Sequence, residues 1–101
     1  MGESMTTDAS PGKLSELRNV GPAFMNKSAA LGVESVKDLA SRSADDLYID
    51  LCHIEGERLD PCVHDVFAAT IHQARTGEPL IWWDFSGQRK QRQRSGDFPD
   101  L

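Results

Sequence analysis

The chain has 101 residues, of which 39% are hydrophobic and 27% charged, and its formal net charge is -5. This length allows one domain with a small core, and no apolar run approaches the ~18 residues that a membrane span requires. Two cysteines are too few for a disulfide framework and fit a reducing cytosol, so we expect a cytoplasmic protein that does not enter a membrane.

The charge is spread unevenly along the chain. Residues 42–85 carry a net charge of -6, whereas residues 13–41 carry +1 and residues 86–101 carry +2. The acidic total argues against an indiscriminate nucleic-acid binder, which normally has a basic surface. Only the first third of the chain and its C-terminal end therefore have a charge that permits binding of a polyanion such as DNA.

The N-terminal third predicts a leader followed by two helices. Residues 1–12 are polar, lack periodicity and end in Pro-Gly, which predicts a disordered leader. Leu14 and Leu17 then predict a short amphipathic helix. Pro22 stands where proline best starts a helix, because it has no N–H to leave unpaired. The apolar spacing continues to Gly32, a typical C-terminal cap.

The middle of the chain predicts three further helices. Ser35 and Ser43 are each followed three residues later by Asp, which resembles a capping box at the start of a helix. Asp60 and Pro61 start the longest helix, and Gly77 ends it. The pattern therefore predicts an all-α fold of five helices without a strand pair.

The C-terminal part predicts an extended segment and a tail. The run from Leu80 to Phe85 has no partner strand, so we expect an extended segment whose aromatic side chains dock on the helical core: Trp82, Trp83 and Phe85. Polar and basic residues alternate after it and predict a mobile tail. The predicted organisation is a leader at 1–12, a helical domain at 13–85 and a basic flexible tail at 86–101.

Residues 14–23 form the only segment with a clear functional signal, a short helix, a tight turn and a second helix that begins at proline. Such a turn leaves the N–H groups of Val20, Gly21 and Ala23 without internal partners. Together with the positive end of the helix dipole they form a candidate phosphate site. Glycine suits this position because the backbone must approach the phosphate closely, and Val20 is expected to plug the turn into the core.

The turn resembles a helix-hairpin-helix motif, whose usual hairpin is Gly-apolar-Gly. Asn19 stands at the first glycine, and asparagine tolerates left-handed geometry. Ala23 stands where many DNA-binding versions have lysine, so one charge is missing. The candidate DNA-phosphate-binding residues are Asn19, Val20, Gly21, Ala23, Lys27, Lys13 and Arg18. Contacts of this kind go to the DNA backbone, so the expected binding is weak, independent of sequence and salt-dependent. The alternative is that Gly21 and Pro22 merely join two packed helices.

The resemblance extends over residues 13–90. It is carried by Asn19-Val20-Gly21-Pro22-Ala23, Ala30-Leu31-Gly32-Val33, Leu47-Tyr48-x-x-Leu51-Cys52, Asp60-Pro61-Cys62-Val63 and Trp82-Trp83-x-Phe85. The sequence is similar to a small bacterial family of helix-hairpin-helix proteins described as pathogenicity-locus or mitomycin-resistance-like. This resemblance implies a compact five-helix helix-hairpin-helix (SAM-like) domain with an extended aromatic C-terminal segment. It also implies a DNA-related function in DNA damage response or resistance, without a defined reaction.

The cysteines and histidines do not show the ligand spacing of a structural zinc site. Cys62 and His64, for example, point about 200° apart on a helix. Cys52 ends one helix and Cys62 begins the next, so the two thiols form a candidate pair. They are either two small buried apolar groups at a helix contact or a redox couple. No catalytic constellation is present, and we expect a non-enzymatic protein without cofactor or metal.

Two functions from different classes follow from these patterns. The first is weak DNA-backbone binding by the hairpin, assisted by the basic residues from Arg89 to Arg94. The second is a protein-interaction module that uses the hairpin fold as a scaffold and meets its partner through the acidic region 42–85 or through Trp82 and Trp83. The sequence leaves the oligomeric state open.

Overall fold

Five α-helices and two short 3-10 turns make up the part of the chain that the structure, a computed structural model, describes, which is residues 13–99. The helices are α1 (Pro22–Ala30), α2 (Val36–Ala40), α3 (Ala44–Glu55), α4 (Cys62–Thr76) and α5 (Ser86–Ser95), and the 3-10 turns lie at Leu14–Glu16 and Trp82–Phe85. Within this part there is no strand, which confirms the predicted all-α class. The predicted leader at 1–12 lies outside the described residues.

The helix ends follow the local signals in the sequence. The hydroxyls of Ser35 and Ser43 each accept a hydrogen bond of 3.0 Å from the N–H three residues later, and a carboxylate oxygen of Asp60 accepts one of 2.8 Å at the start of α4. Gly32 and Gly77 follow α1 and α4 with φ of 78° and 82°, the left-handed region that glycine adopts without steric cost. The predicted caps are therefore confirmed.

The core lies around α4, which contacts α2, α3, α5 and the turn at Trp82–Phe85. The side chains of Leu39, Leu47 and Leu51 are completely buried. The remaining buried hydrophobic side chains of the cluster are Leu14, Leu17, Phe24, Val33, Val36, Tyr48, Cys52, Phe67, Ile71 and Phe98. No helix within residues 13–99 has both the length and the apolar character needed to cross a membrane.

The first predicted helix is only a single 3-10 turn, Leu14–Glu16. Leu14 and Leu17 are buried, as the amphipathic spacing predicts. Their three-residue spacing matches the three residues per turn of a 3-10 helix. The first turn of an α-helix is unfavourable to form and is compensated only when further turns follow. Too few residues separate this segment from the turn at Gly21 for an α-helix to extend in this way.

The basic segment that we predicted to be a flexible tail differs most from the sequence prediction, because Ser86–Ser95 form the regular helix α5. Two of its arginines, Arg89 and Arg92, pair with aspartates of other helices, and Phe98 beyond its end is 7% exposed within the core. These partners are distant along the chain, and α5 has no apolar stripe, so periodicity could not reveal that it docks. The packed unit therefore continues past residue 85.

The aromatic segment, predicted to be extended, is a 3-10 turn over Trp82–Phe85. Trp82 and Phe85 are half-buried, and the Phe85 ring lies 5.7 Å from that of His72 on α4. Trp83 is 58% exposed, so the expectation that all three aromatic side chains dock on the core is wrong for this one. Successive residues of a helical turn point in different directions, so Trp82 and Phe85 are half-buried while Trp83 faces solvent.

Candidate nucleic-acid interface

The start of α1 is exposed and has no side-chain cap. Gly21 is the N-cap residue, and Gly21, Pro22 and Ala23 are all exposed. The N–H of Met25 donates to the Gly21 carbonyl at 3.0 Å. The backbone N–H groups of Gly21, Ala23 and Phe24 do not donate a hydrogen bond to any carbonyl or side chain within residues 13–99. By contrast, serine hydroxyls cap α2 and α3, and the Asp60 carboxylate accepts the N–H of Cys62 at the start of α4.

Neither backbone conformation nor packing requires glycine at position 21. Its φ of -126° and ψ of -174° are extended values that any residue adopts. A Cβ added there would meet nothing within 4 Å. A Ser or Asp at an N-cap would stabilise the helix more than glycine does. The missing side chain therefore keeps the first amides of α1 accessible to a group from outside the protein.

Val20 anchors the turn, but it does not supply an open donor. Its half-buried side chain packs against the core, as expected for an inward plug. Its N–H donates to the Leu17 carbonyl at 3.2 Å, so including this amide among the phosphate donors is wrong. The N–H of Phe24, a residue that is 7% exposed, also has no acceptor within residues 13–99; the rule that a helix leaves its first N–H groups unpaired could have identified it.

Asn19 has a role that the sequence pattern did not indicate. Its side-chain amide donates to the Leu80 carbonyl at 2.8 Å, and its side-chain oxygen accepts the N–H of Trp82 at 3.1 Å. Within residues 13–99 no residue other than glycine has a positive φ. Asparagine is thus not needed for left-handed geometry. It ties the turn to the aromatic segment that is more than sixty residues later in the chain.

The cations predicted near the turn differ in their availability. Lys13 and Arg18 have exposed side chains, and the backbone N–H of Arg18 is held by the side-chain oxygen of Gln73 at 2.8 Å. The Lys27 ammonium lies 3.5 Å from the Glu55 carboxylate, and both side chains are more than a third exposed. An exposed pair of this kind is weak, so Lys27 can exchange this partner for a phosphate at little cost.

Only two of the four basic side chains between Arg89 and Arg94, which we predicted to assist DNA binding, are free of an ion pair within residues 13–99. Arg89 is bound to buried Asp65 at 2.9 Å, and Arg92 is bound to Asp45 at 2.8 Å. Hydrogen bonds from Arg92 and from His64 hold the pKa of Asp45 below its ordinary value, against the opposing effect of burial. The remaining two, Lys90 and Arg94, are exposed.

Both cysteines are free thiols in different surroundings. Cys52 is buried and its sulfur accepts the Leu59 N–H at 3.4 Å, whereas Cys62 is half-buried and lies 3.7 Å from the Arg89 guanidinium. Burial and the neighbouring carboxylate of Asp60 raise the pKa of Cys62, which opposes thiolate chemistry. Among residues 13–99 no group of three or more His, Cys, Asp or Glu side chains is placed to hold a metal ion.

Comparison with known proteins identifies the family. The model of the Cdd1 family, described as pathogenicity locus, matches residues 7–91. The chain belongs to this family. It is also 28% identical over 85 residues to the mitomycin resistance protein McrB of Streptomyces lavendulae, an alignment that covers 84% of this chain and 81% of that protein. No solved structure matches the chain. The stretch matched by the Cdd1 family model contains both the turn at Gly21 and the aromatic segment.

Proposed function

We propose that this Cdd1-family protein is a non-enzymatic, helix-hairpin-helix (SAM-like) domain that binds the DNA backbone weakly and without sequence preference. The observation that carries this proposal is the exposed, uncapped start of α1, where the amides of Gly21, Ala23 and Phe24 lack acceptors within residues 13–99. Backbone amides at the positive end of a helix dipole bind phosphate groups. The name of the relative, a mitomycin resistance protein, is in keeping with a role in resistance.

The charges around the turn support a weak rather than a tight contact. Lys13 and Arg18 flank the turn with exposed side chains, and Lys27 lies one helical turn beyond Ala23. Glu55 lies beside Lys27 and repels a polyanion. Each phosphate that a cation neutralises releases counterions, so few available cations imply low affinity that falls with salt.

The direct test is a titration of a fluorescein-labelled DNA duplex, followed by anisotropy, at about 50 mM and about 200 mM salt. Asp at position 21 would cap the amides of α1 with its own carboxylate and repel a phosphate. We therefore expect Gly21→Asp to weaken duplex binding by about tenfold while stabilising the fold by a few tenths of a kcal/mol. Ala29→Asp adds the same charge at the other, exposed end of α1 and is the matched control.

Two results would overturn the proposal. One is no binding by the wild-type protein even at the lower salt concentration. The other is equal duplex affinity for Gly21→Asp and Ala29→Asp, since that result would trace the loss to net charge alone. The stability of each variant, measured in parallel, separates lost binding from lost folding.

A protein-interaction function is the second candidate, and the exposure of Trp83 favours it. A tryptophan that is 58% exposed beside α5 is the kind of side chain that is enriched at protein interfaces. If it serves this function through self-association, sedimentation velocity would show dimers of the wild-type protein and monomers of Trp83→Ala at the same concentration.

A further inference from the structure

The segment from Trp82 to Ser95 has two faces with different chemistry. The 3-10 turn runs directly into α5 without an intervening loop. Phe85, Arg89 and Arg92 follow helical spacing and are turned towards the protein, where the two arginines bind aspartates. Trp83, Gly87, Lys90 and Arg94 are spaced by four, three and four residues, and all four are exposed. We refer to these four residues as the outer stripe.

The tryptophan of the outer stripe is held in place although it is exposed. Its ring lies 5.6 Å from the ring of Trp82 at an interplanar angle of 74°, an edge-to-face contact. Trp82 is half-buried, and its backbone N–H donates a hydrogen bond to the side-chain oxygen of Asn19. Trp83 is 58% exposed and contributes little to the core. The packing therefore presents an indole to solvent on a fixed support.

The cations of the outer stripe are available. Neither Lys90 nor Arg94 forms an ion pair with the described residues, 13–99. They are four residues apart and thus share one face of α5. Gly87, between Trp83 and Lys90, has no side chain to obstruct this face, and a Cβ there would meet nothing within 4 Å. The stripe thus offers one large aromatic group followed by two exposed positive charges.

The outer stripe begins beside the candidate phosphate site of α1. The side chain of Asn19 binds the backbone on both sides of Ile81, at Leu80 and Trp82, and Asn19 precedes Gly21 by two residues, at most about 8 Å of backbone. The backbone at Trp82, which directly precedes Trp83, therefore lies close to the turn that begins α1. One strand of a nucleic acid can reach both the outer stripe and this turn.

We propose that the outer stripe binds single-stranded DNA, with an unpaired base stacked on Trp83 and phosphates held by Lys90 and Arg94. This inference rests on the proposed function and names the form of DNA that the protein prefers. A cationic track with an exposed aromatic ring is the arrangement that binds single strands, because every base has a π-face to stack. In a duplex the bases are already stacked on each other, so they present no free face to the Trp83 indole.

The composition of the stripe favours a nucleic acid over a protein. Trp83 is its only apolar side chain, whereas the centre of a protein interface is a contiguous apolar patch that is depleted of charge. Two acidic groups lie nearby in sequence and reduce the affinity for DNA. Asp84 accepts the Ile81 N–H at 3.1 Å, and Glu78 is paired with His72 at 2.7 Å.

The experiment compares fluorescein-labelled oligothymidylate with a DNA duplex of equal length, using the full chain. We expect the wild-type protein to bind oligothymidylate more tightly and the intrinsic tryptophan fluorescence to be quenched by it more than by the duplex. Trp83→Ala should weaken oligothymidylate binding by about tenfold and leave duplex binding unchanged. Trp83→Phe should recover part of the loss. Ile54→Ala removes another exposed apolar side chain, on α3, and is the matched control.

The outcomes separate this inference from the proposed function. Equal affinity for both DNA forms, with no effect of Trp83→Ala, overturns the inference and leaves duplex binding by the turn intact. Loss of oligothymidylate binding in Trp83→Ala, with duplex binding insensitive to Gly21→Asp, supports the stripe and overturns the proposed function. No binding of either DNA overturns both. An equal loss for oligothymidylate and duplex in Trp83→Ala also overturns the inference, since stacking would then not distinguish them.

Discussion

The ion pair between Asp65 on α4 and Arg89 on α5 is the interaction whose removal should damage the fold most. The Asp65 side chain is 0% exposed and that of Arg89 is 10% exposed, with 2.9 Å between Nη2 and the carboxylate. Arg89 Nε also donates to both carboxylate oxygens, at 3.3 and 3.2 Å, and Ser86 donates to one of them at 2.7 Å. The pair is thus almost fully withdrawn from water.

The substitution Arg89→Ala leaves the buried Asp65 carboxylate with only the Ser86 hydroxyl among these donors. Removing one partner of a buried ion pair costs about 3–5 kcal/mol, because the remaining charge is buried without compensation. A domain of this size is stable by roughly 5–15 kcal/mol, so the loss is a large fraction of the total. The double substitution Asp65→Leu with Arg89→Met removes both charges and should restore most of the stability.

The assay is urea denaturation followed by far-UV circular dichroism. Lys27→Ala, which breaks the exposed pair with Glu55, is the control and should cost less than about 1 kcal/mol. If Arg89→Ala costs no more than this control, then α5 is not held by the buried pair and the reasoning fails. If the double variant is as unstable as Arg89→Ala, the loss comes from packing rather than from an uncompensated charge.

Three further predictions concern stability and reactivity. Arg92 and His64 lower the pKa of Asp45 below its ordinary value of 3.8. The contribution of the ionised Asp45 to the free energy of unfolding is therefore fully present above pH 3.8 and is lost as the pH falls through the lower folded-state pKa. Asp45→Asn should reduce the acid-induced loss of stability in denaturation curves below about pH 4. Ser43→Ala removes the cap of α3 and should lower the free energy of unfolding by about 1 kcal/mol, whereas Ser43→Asp should retain most of it. Iodoacetamide should modify half-buried Cys62 before buried Cys52, which peptide mass spectrometry can follow. The reaction of Cys62 should be slow at neutral pH because the pKa of this thiol is raised. Faster modification of Cys52 would contradict the burial order.

The helix ends could be predicted because their causes are local. Ser35, Ser43 and Asp60 cap helices through N–H groups two or three residues away, and Gly32 and Gly77 end helices through their own φ. Such effects depend on a few consecutive residues and can be read in the chain itself. The same holds for the uncapped start of α1, because proline and glycine at its beginning leave no side chain to accept its amides.

The role of the C-terminal quarter was decided by partners far away in the chain. Arg89 and Arg92 were indistinguishable from Lys90 and Arg94 in sequence, and only the position of Asp65 and Asp45 makes the first two structural. The sequence could show the basic character of this segment but not that it docks, since a helix held by charge pairs has no apolar periodicity.

The all-α class, the helix caps and the turn at Gly21 can be read from the amino-acid sequence, because propensity, capping and apolar spacing act over a few residues. The three-dimensional arrangement was needed to show that Asn19 joins this turn to Trp82, and that Trp83 faces solvent while its two aromatic neighbours are half-buried. The physical reason is that burial and hydrogen bonding between distant segments depend on how the helices pack. The same packing divides the basic residues of α5 into a structural inner face and an available outer stripe.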